Sequence, residues 1–232
     1  MKPFRFQRFN INQSAEVFRV GTDAVLLGAM AYSLGKTILE IGCGTGIISL
    51  MLAQRFPNAK LLSLDIAPEA ANLAAENFSN SPFSERMESI CADFKIFNSH
   101  EKFDLIISNP PYFEENPSEK DKLARQSVEL DFVELIQNSA KFLAPKGIFS
   151  VIIPAESASD FIEKSEQEGL YPYRRINIYG IKGGALRRVI LEFSLEKPNH
   201  ILEENFTIEK SPRQYSDEYL ELTKDFHVFN LK

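Results

Sequence analysis

Thr37-Ile38-Leu39-Glu40-Ile41-Gly42-Cys43-Gly44-Thr45-Gly46 decides the fold of this chain: an apolar run closes in three glycines at alternate positions. Thr37–Ile41, rich in β-branched residues, reads as a buried strand, and a helix is expected from about Ile47 to Arg55. Gly42, Gly44 and Gly46 let the backbone turn sharply and approach a ligand closely. A dinucleotide fingerprint would need G-x-G-x-x-G, and the spacing here is G-x-G-x-G. With Glu40 just ahead, the loop suits an adenosyl ligand whose amino-acid end lies against it, or serves as a purely structural turn.

Outward from this loop, apolar runs alternate with helix-like segments from residue 37 to about 170. Lys60–Leu64 is a predicted second strand ending at Asp65, and Pro68 fits the first position of a helix through Asn77. Met87–Cys91 is a third strand ending near Asp93, and Phe103–Ser108 a fourth. Asp131 with Glu134 marks the start of a helix running to Leu143. Gly147–Ile153 is a fifth strand, and Glu156–Gln167 a further helix. This rhythm predicts a parallel sheet with crossover helices. Arg174–Tyr179 and Arg188–Leu195 then read as an antiparallel pair at a sheet edge, joined by the glycine-rich loop Gly180–Gly184. The expectation is one domain over 1–232, with an N-terminal extension (1–35), a core (36–195) and a C-terminal extension (196–232). A helix is expected at Asp23–Ser33.

With 232 residues, 44% hydrophobic and 25% charged, the chain is long enough to bury a core of its own. No apolar run reaches the roughly 18 residues of a membrane span, and Met1–Phe6 leads into polar residues, not a signal-peptide core. Cys43 and Cys91 are the only cysteines, both in apolar sequence surroundings, which predicts a reduced cytoplasmic protein. Neither has metal-ligand spacing to another Cys or His, so no metal site is expected. A net charge of −6 argues against a general nucleic-acid binder. Two stretches depart from that balance: Lys2, Arg5, Arg8 and Arg19 near the start, and Arg174, Arg175, Lys182, Arg187 and Arg188, with no acid among residues 171–190. Each fits a solvated surface or a local patch for a polyanion.

The chemistry-bearing residues fall at the predicted strand ends. Asp65 lies 19 residues after Gly46, where an acid can bind both ribose hydroxyls, with Ile66 beside it. Asp93 is placed to receive an adenine amino group, and Phe94 to cover the ring. Either acid also fits a helix or turn cap. Asn109-Pro110-Pro111-Tyr112 ends the fourth strand: the prolines fix φ and remove two donors, and Pro110 pushes Asn109 into an extended conformation. The Asn109 side-chain oxygen and nearby carbonyls are then free to accept from a planar –NH2 group, while Tyr112 offers a face to stack on. An ordinary proline turn is the other reading.

The ordered set Glu40-x-Gly42-x-Gly44-x-Gly46, Asp65, Asp93, Asn109-Pro110-Pro111-Tyr112 resembles class I S-adenosylmethionine-dependent methyltransferases that modify amino nitrogens, over roughly residues 35–195. The resemblance implies an α/β, Rossmann-like fold with a mostly parallel seven-stranded sheet, an antiparallel edge strand and helices on both faces. It implies S-adenosylmethionine bound by Glu40, Gly42, Cys43, Gly44, Gly46, Asp65, Ile66, Asp93, Phe94 and Asn109, with Asn109, Pro110, Pro111 and Tyr112 catalytic.

Within that superfamily the flanks are similar to the tRNA1(Val) (adenine(37)-N6)-methyltransferase family. They are Phe4–Phe9 leading to Val20-Gly21-Thr22-Asp23, Leu123-Ala124-Arg125, Gly183–Val189, and the closing Tyr219-x-x-Leu222-x-x-Asp225-Phe226. The tail departs at His227, where an aromatic is expected. This implies N6-methylation of a tRNA adenine by a monomeric enzyme. RNA contacts are expected at Arg125, Lys182, Arg187 and Arg188, with Arg5 and Arg8 behind them. Glutamine-N5 methylation of a protein, guanine-N2 methylation of rRNA and a non-catalytic RNA-binding role are the competing readings.

Overall fold

The computed structural model describes residues 1–33, 35–111 and 132–228. A short hairpin, β1 (Phe4–Arg5) and β2 (Asn10–Ile11), precedes α1 (Thr22–Met30). The alternating core follows: β3 (Thr37–Ile41), α2 (Ile47–Arg55), β4 (Lys60–Asp65), α3 (Pro68–Ser79), β5 (Met87–Cys91) and β6 (Phe103–Ser108). After it come α4 (Phe132–Phe142), β7 (Leu143–Pro154), α5 (Ala158–Gln167), β8 (Tyr171–Ile181) and β9 (Leu186–Ser194). The C-terminal part adds β10 (Leu202–Ser211), β11 (Gln214–Tyr215) and α6 (Asp217–Thr223).

One sheet carries nine of these strands, in the order β11-β10-β8-β9-β7-β6-β3-β4-β5. Its β8-to-β5 portion is the expected seven-stranded sheet, with β9 antiparallel to both neighbours and the other pairs parallel. Side chains alternate across the pleat. Ile38, Leu61, Leu105, Ile152 and Ile190 enter one apolar cluster beneath α1, α2 and α3. Leu39, Leu64, Ile106, Val151 and Leu191 enter a second beneath α4 and α5. Both faces are therefore covered, which is why these strands read as nearly continuous apolar runs.

The antiparallel pair β8–β9 is not at the edge. β10 lies parallel against β8, from Leu202 opposite Arg174 to Glu209 opposite Ile181, and β11 closes the sheet antiparallel to β10. Phe206 and Ile208 of β10 join the first apolar cluster, and the acids between them and the strand start answer the bases of β8. Arg174 binds Glu204 (2.7 Å) and buried Glu192 (3.2 Å), and Arg175 reaches Glu203 (3.7 Å). Arg188 pairs with Asp23 at 3.0 Å. The acid-free stretch of sequence is thus largely neutralised in space by residues far along the chain. Cys91, expected in apolar surroundings, is exposed at the end of β5, where only one side of the strand is covered.

Glu192 is wholly buried and accepts from Tyr173 Oη (2.7 Å), Ser150 Oγ (3.4 Å) and Arg174. Removing one partner of such a pair leaves a buried charge uncompensated. Arg174→Met should therefore cost about 3 kcal/mol, read as a lower urea midpoint, whereas a double Arg174→Met, Glu192→Leu variant should recover most of the loss.

Candidate active site

The strand registers bring four carboxyl ends to one level. Ile41 pairs with both Leu64 and Ser108, Asp65 with Cys91, and Ser108 with Val151. The residues that follow are Gly42, Ile66, Ala92 and Asn109. From β3 the chain moves to β4 and β5 on one side, then crosses to β6 on the other. The crevice outside the carboxyl ends at such a switch point is where open α/β sheets bind ligands.

The three glycines of the first turn all have positive φ, +72° at Gly42, +54° at Gly44 and +75° at Gly46, but they serve different ends. A side chain on Gly42 would meet nothing within 4 Å, and one on Gly44 only Val17 Cγ1 at 3.9 Å. A side chain on Gly46 would overlap the Phe78 ring, so Gly46 lets α2 pack against α3. Four of the loop's N–H groups are already engaged. Gly42 N and Cys43 N bond to Leu64 O (2.8 and 3.0 Å), Gly46 N to Cys43 O (2.7 Å) and Gly44 N to Asp65 Oδ2 (2.8 Å). What remains at Gly42 and Gly44 is open space beside backbone. The Cys43 side chain points inward, 3.7 Å from Ser89 Oγ, and burial pushes its thiol pKa up. Its side chain is spent in the interior and not offered to a ligand.

Two buried carboxyl groups stand behind the loop. Glu40 is 1% exposed; one oxygen accepts from Ser49 N (3.1 Å) and Ser49 Oγ, while Oε1 has no partner. Burial pushes its pKa up to about 8, with the Asp65 charge adding to the shift and the Ser49 bonds opposing it. Asp65 at the end of β4 accepts from Gly44 N at Oδ2 and from Ala67 N at Oδ1 (3.0 Å); burial raises its pKa against those bonds. Each carboxylate oxygen has a second lone-pair direction, so Asp65 can hold the loop and still accept from a diol. An orphaned buried oxygen and a backbone cradle with open space fit an adenosyl amino acid.

Farther along the edge, Asp93 Oδ1 accepts from Lys95 N (2.9 Å), capping its own turn, and Ile66 is 39% exposed beside Asp65. Phe94 is 3% exposed and lies against Phe97 and Phe142 in the second apolar cluster, so its ring is core packing and does not stand open over a ligand. Asn109 follows β6 half-buried, with Pro110 buried and Pro111 exposed. Tyr112 and Arg125 lie outside the described residues. Lys182 and Arg187 are exposed on the β8–β9 hairpin, which reaches the same edge because Arg188 pairs with Pro154 at the end of β7. Arg188 itself is half-buried and held by Asp23, so it ties α1 to the sheet. Arg5 and Arg8 are exposed at the N-terminal hairpin, and Arg8 lies over the Phe83 ring.

The sequence reading missed the loop between β2 and α1, which Val17 brings against Gly44. Only the apolar Val17 hinted at it. Among the described residues no group of three His, Cys, Asp or Glu side chains could hold a metal ion, and no helix is long and apolar enough to cross a membrane.

Residues 13–165 match the family model described as Methyltransferase small domain. The chain is 52% identical over 230 residues to a tRNA1(Val) (adenine(37)-N6)-methyltransferase of Flavobacteriaceae bacterium (strain 3519-10), covering 99% of this chain and 100% of that one. It is 37% identical to the protein of the same name from Bacteroides fragilis (strain YCH46), covering 97% of each. Among solved structures, a predicted O-methyltransferase from Agrobacterium tumefaciens superposes with a TM-score of 0.67 at 20% identity, covering 88% of this chain and 96% of that chain. The glycopeptide N-methyltransferase MtfA, solved with S-adenosylmethionine, gives 0.57 at 12% identity, covering 78% and 90%. These structures share the fold.

The Glu40 carboxyl makes stability depend on pH. Folded, it keeps its proton to about pH 8; unfolded, it releases it near 4.5. The folded state therefore binds more protons between those values, and stability falls as pH rises through that window, by at most about 1.4 kcal/mol per pH unit. Glu40→Gln should flatten that slope in ligand-free protein, measured as the change in Tm between pH 5 and pH 8. An equally steep slope in the variant would remove Glu40 as its source.

Proposed function

The chain belongs to the methyltransferase small-domain family and, within it, to the tRNA1(Val) (adenine(37)-N6)-methyltransferases, and we propose that it moves the methyl group of S-adenosylmethionine onto N6 of adenine 37 in tRNA1(Val). One observation carries the chemistry. Asn109-Pro110-Pro111 and the glycine turn end adjacent parallel strands, β6 and β3, at the switch point of the sheet. A group that accepts hydrogen bonds from an amine thereby stands next to a cradle for an adenosyl amino acid.

When bound, S-adenosylmethionine supplies an electrophilic methyl carried on a sulfonium. Gly42 and Gly44 admit its amino-acid end beside Glu40, and Asp65 accepts from the ribose hydroxyls. Asp93 receives the adenine amino group of the cofactor, with Ile66 against the ring. On the substrate side, the amine of adenine is a poor nucleophile because its lone pair is delocalised into the ring. Asn109 Oδ1 and the Pro110 carbonyl accept its two N–H bonds and turn the lone pair toward the methyl group. Catalysis is then mainly positioning and electrostatic preorganisation. Tyr112 stacks the target base, which must leave its helical stack, a step easiest in a loop. Lys182 and Arg187, exposed at the same edge, meet phosphates, with Arg125 assigned to the RNA on the family resemblance alone. The nine-stranded sheet runs unbroken from β11 to β5, which supports one domain, and a tRNA substrate puts the enzyme in the cytoplasm.

The deciding experiment is transfer of labelled methyl from S-adenosylmethionine to tRNA from cells lacking this gene, with nucleoside mass spectrometry of the product. N6-methyladenosine confined to one tRNA is expected; label in rRNA or a release factor instead would overturn the substrate. Asn109→Ala should lower kcat by about 100-fold or more while cofactor Kd stays near normal. Asp65→Ala should instead raise the cofactor Kd by about ten-fold or more, checked by calorimetric titration, as expected for losing a charge-assisted hydrogen bond.

A further inference from the structure

Phe18 is the most exposed large apolar side chain among the described residues, at 86%. It is not on a loose tail. Val17 beside it is 7% exposed, and Val20 packs against the first apolar cluster. Val20 N donates to Gln13 Oε1 (3.3 Å) and Glu16 N to Ser14 Oγ (3.2 Å), so the loop from β2 to α1 is closed on itself. The phenyl ring is held out to water between two anchored residues.

Two contacts locate the loop that carries it. Val17 Cγ1 lies 3.9 Å from where a side chain on Gly44 would begin, so the Phe18 backbone is within about 12 Å of the glycine turn by bond geometry. On the other side, Arg188 Nε binds Asp23 Oδ2 at 3.0 Å, fastening the first turn of α1 to the start of β9. Arg188 is opposite Pro154, at the strand edge that carries Asn109. The loop is thus pinned at both ends beside the site, and Arg19, exposed, follows Phe18 on it.

A ring presented by an anchored loop beside the glycine turn, with a guanidinium group next to it, is the arrangement that stacks an unpaired base while a cation meets its phosphate. We infer that Phe18 is a stacking platform for an unpaired base of the RNA substrate adjoining the one that is methylated, with Arg19 on the neighbouring phosphate; this rests on the tRNA reading above. A duplex offers no free base face to such a ring, so the platform selects single-stranded loop.

The chain contains no tryptophan, so Phe18→Trp would introduce a lone indole at the platform. Titrating that variant with an unmodified anticodon stem-loop RNA, without cofactor, should quench its fluorescence saturably, and a fully paired RNA of the same length should not. Phe18→Ala, at a surface position that leaves the fold intact, should raise KM for tRNA about ten-fold, with cofactor Kd unchanged. Phe18→Tyr should restore it. A loss of cofactor affinity in Phe18→Ala with tRNA KM unchanged would assign the ring to the cofactor pocket and overturn the inference. Equal quenching by paired and loop RNA, or none by either, would overturn it as well. Wild-type protein that methylates tRNA while Phe18→Ala does so equally well would remove the platform alone. Wild-type protein inactive on every tRNA would remove the tRNA reading itself.

Discussion

The Leu64 carbonyl accepts from both Gly42 N–H, at 2.8 Å, and Cys43 N–H, at 3.0 Å, and this fork governs how the site is built. It carries the β3–β4 pairing one step past the end of the strand, so the chain leaves β3 already bent toward β4. Gly44 N then reaches Asp65 Oδ2, closing the turn on the acid that ends β4. An L side chain rarely adopts the positive φ required at Gly42, Gly44 and Gly46, and a side chain at Gly46 would also strike Phe78. Turn, acid and open cradle form one unit, held mainly by backbone bonds. The neighbouring β6 completes it, because Ile41 and Ser108 are in register and Ser108 Oγ donates to Ile41 O (2.9 Å).

The same unit concentrates unfavourable electrostatics. Glu40 is buried with one oxygen unpartnered, close enough to Asp65 that the Asp65 charge adds to the cost of ionising it. A fold selected only for stability would place an apolar residue in the middle of β3, beside Leu39 and Ile41. Strained or desolvated groups that survive in a structure gather where chemistry needs them, and ordinary packing elsewhere carries their cost. Here that packing is the pair of apolar clusters on the two faces of the sheet.

The local elements of the core were legible because local chemistry decides them. Pro68 opens α3, the glycines end β3, and β6 spans Phe103–Ser108 as its apolar pattern implies. Partnerships between distant segments were not. The basic stretch 171–190 looked unpaired because its acids are Glu192, Glu203, Glu204 and Asp23, three of them on other strands or on α1. β10 was hidden for the same reason: its acidic start, Glu203 and Glu204, and the alternation of Asn205, Thr207 and Glu209 with Phe206 and Ile208 make sense only once β8 lies alongside. Phe94 next to Asp93 suggested a ligand cover, but a side chain's neighbours in sequence do not say which way it turns. The acids at the strand ends illustrate the limit from the other side. Asp65 and Asp93 both cap turns, as the bland reading held, yet capping leaves lone pairs over and does not exclude a ligand.

His227 carries that lesson to the ends of the chain. In sequence it departs from an expected aromatic, but the structure uses its ring as one. It stacks on Phe6, with centroids 5.5 Å apart and planes at 20°, and faces Tyr219, whose Oη is 3.3 Å from Nε2. Burial lowers its pKa, so near neutral pH the imidazole is uncharged and behaves as a flat polar aromatic. Gln7 N donates to Phe226 O and Gln7 Nε2 to His227 O, joining the turn of the N-terminal hairpin to the C-terminal segment. Because β1 pairs with β2, that junction also steadies the start of the loop that bears Phe18. Asn77 adds a second fastening at the same place: it receives Asn12 N at Oδ1 and donates Nδ2 to Thr45 O in the glycine turn. The two extensions therefore act on the site together. The tail holds the N-terminal hairpin, the hairpin sets the loop, and the loop lies against Gly44.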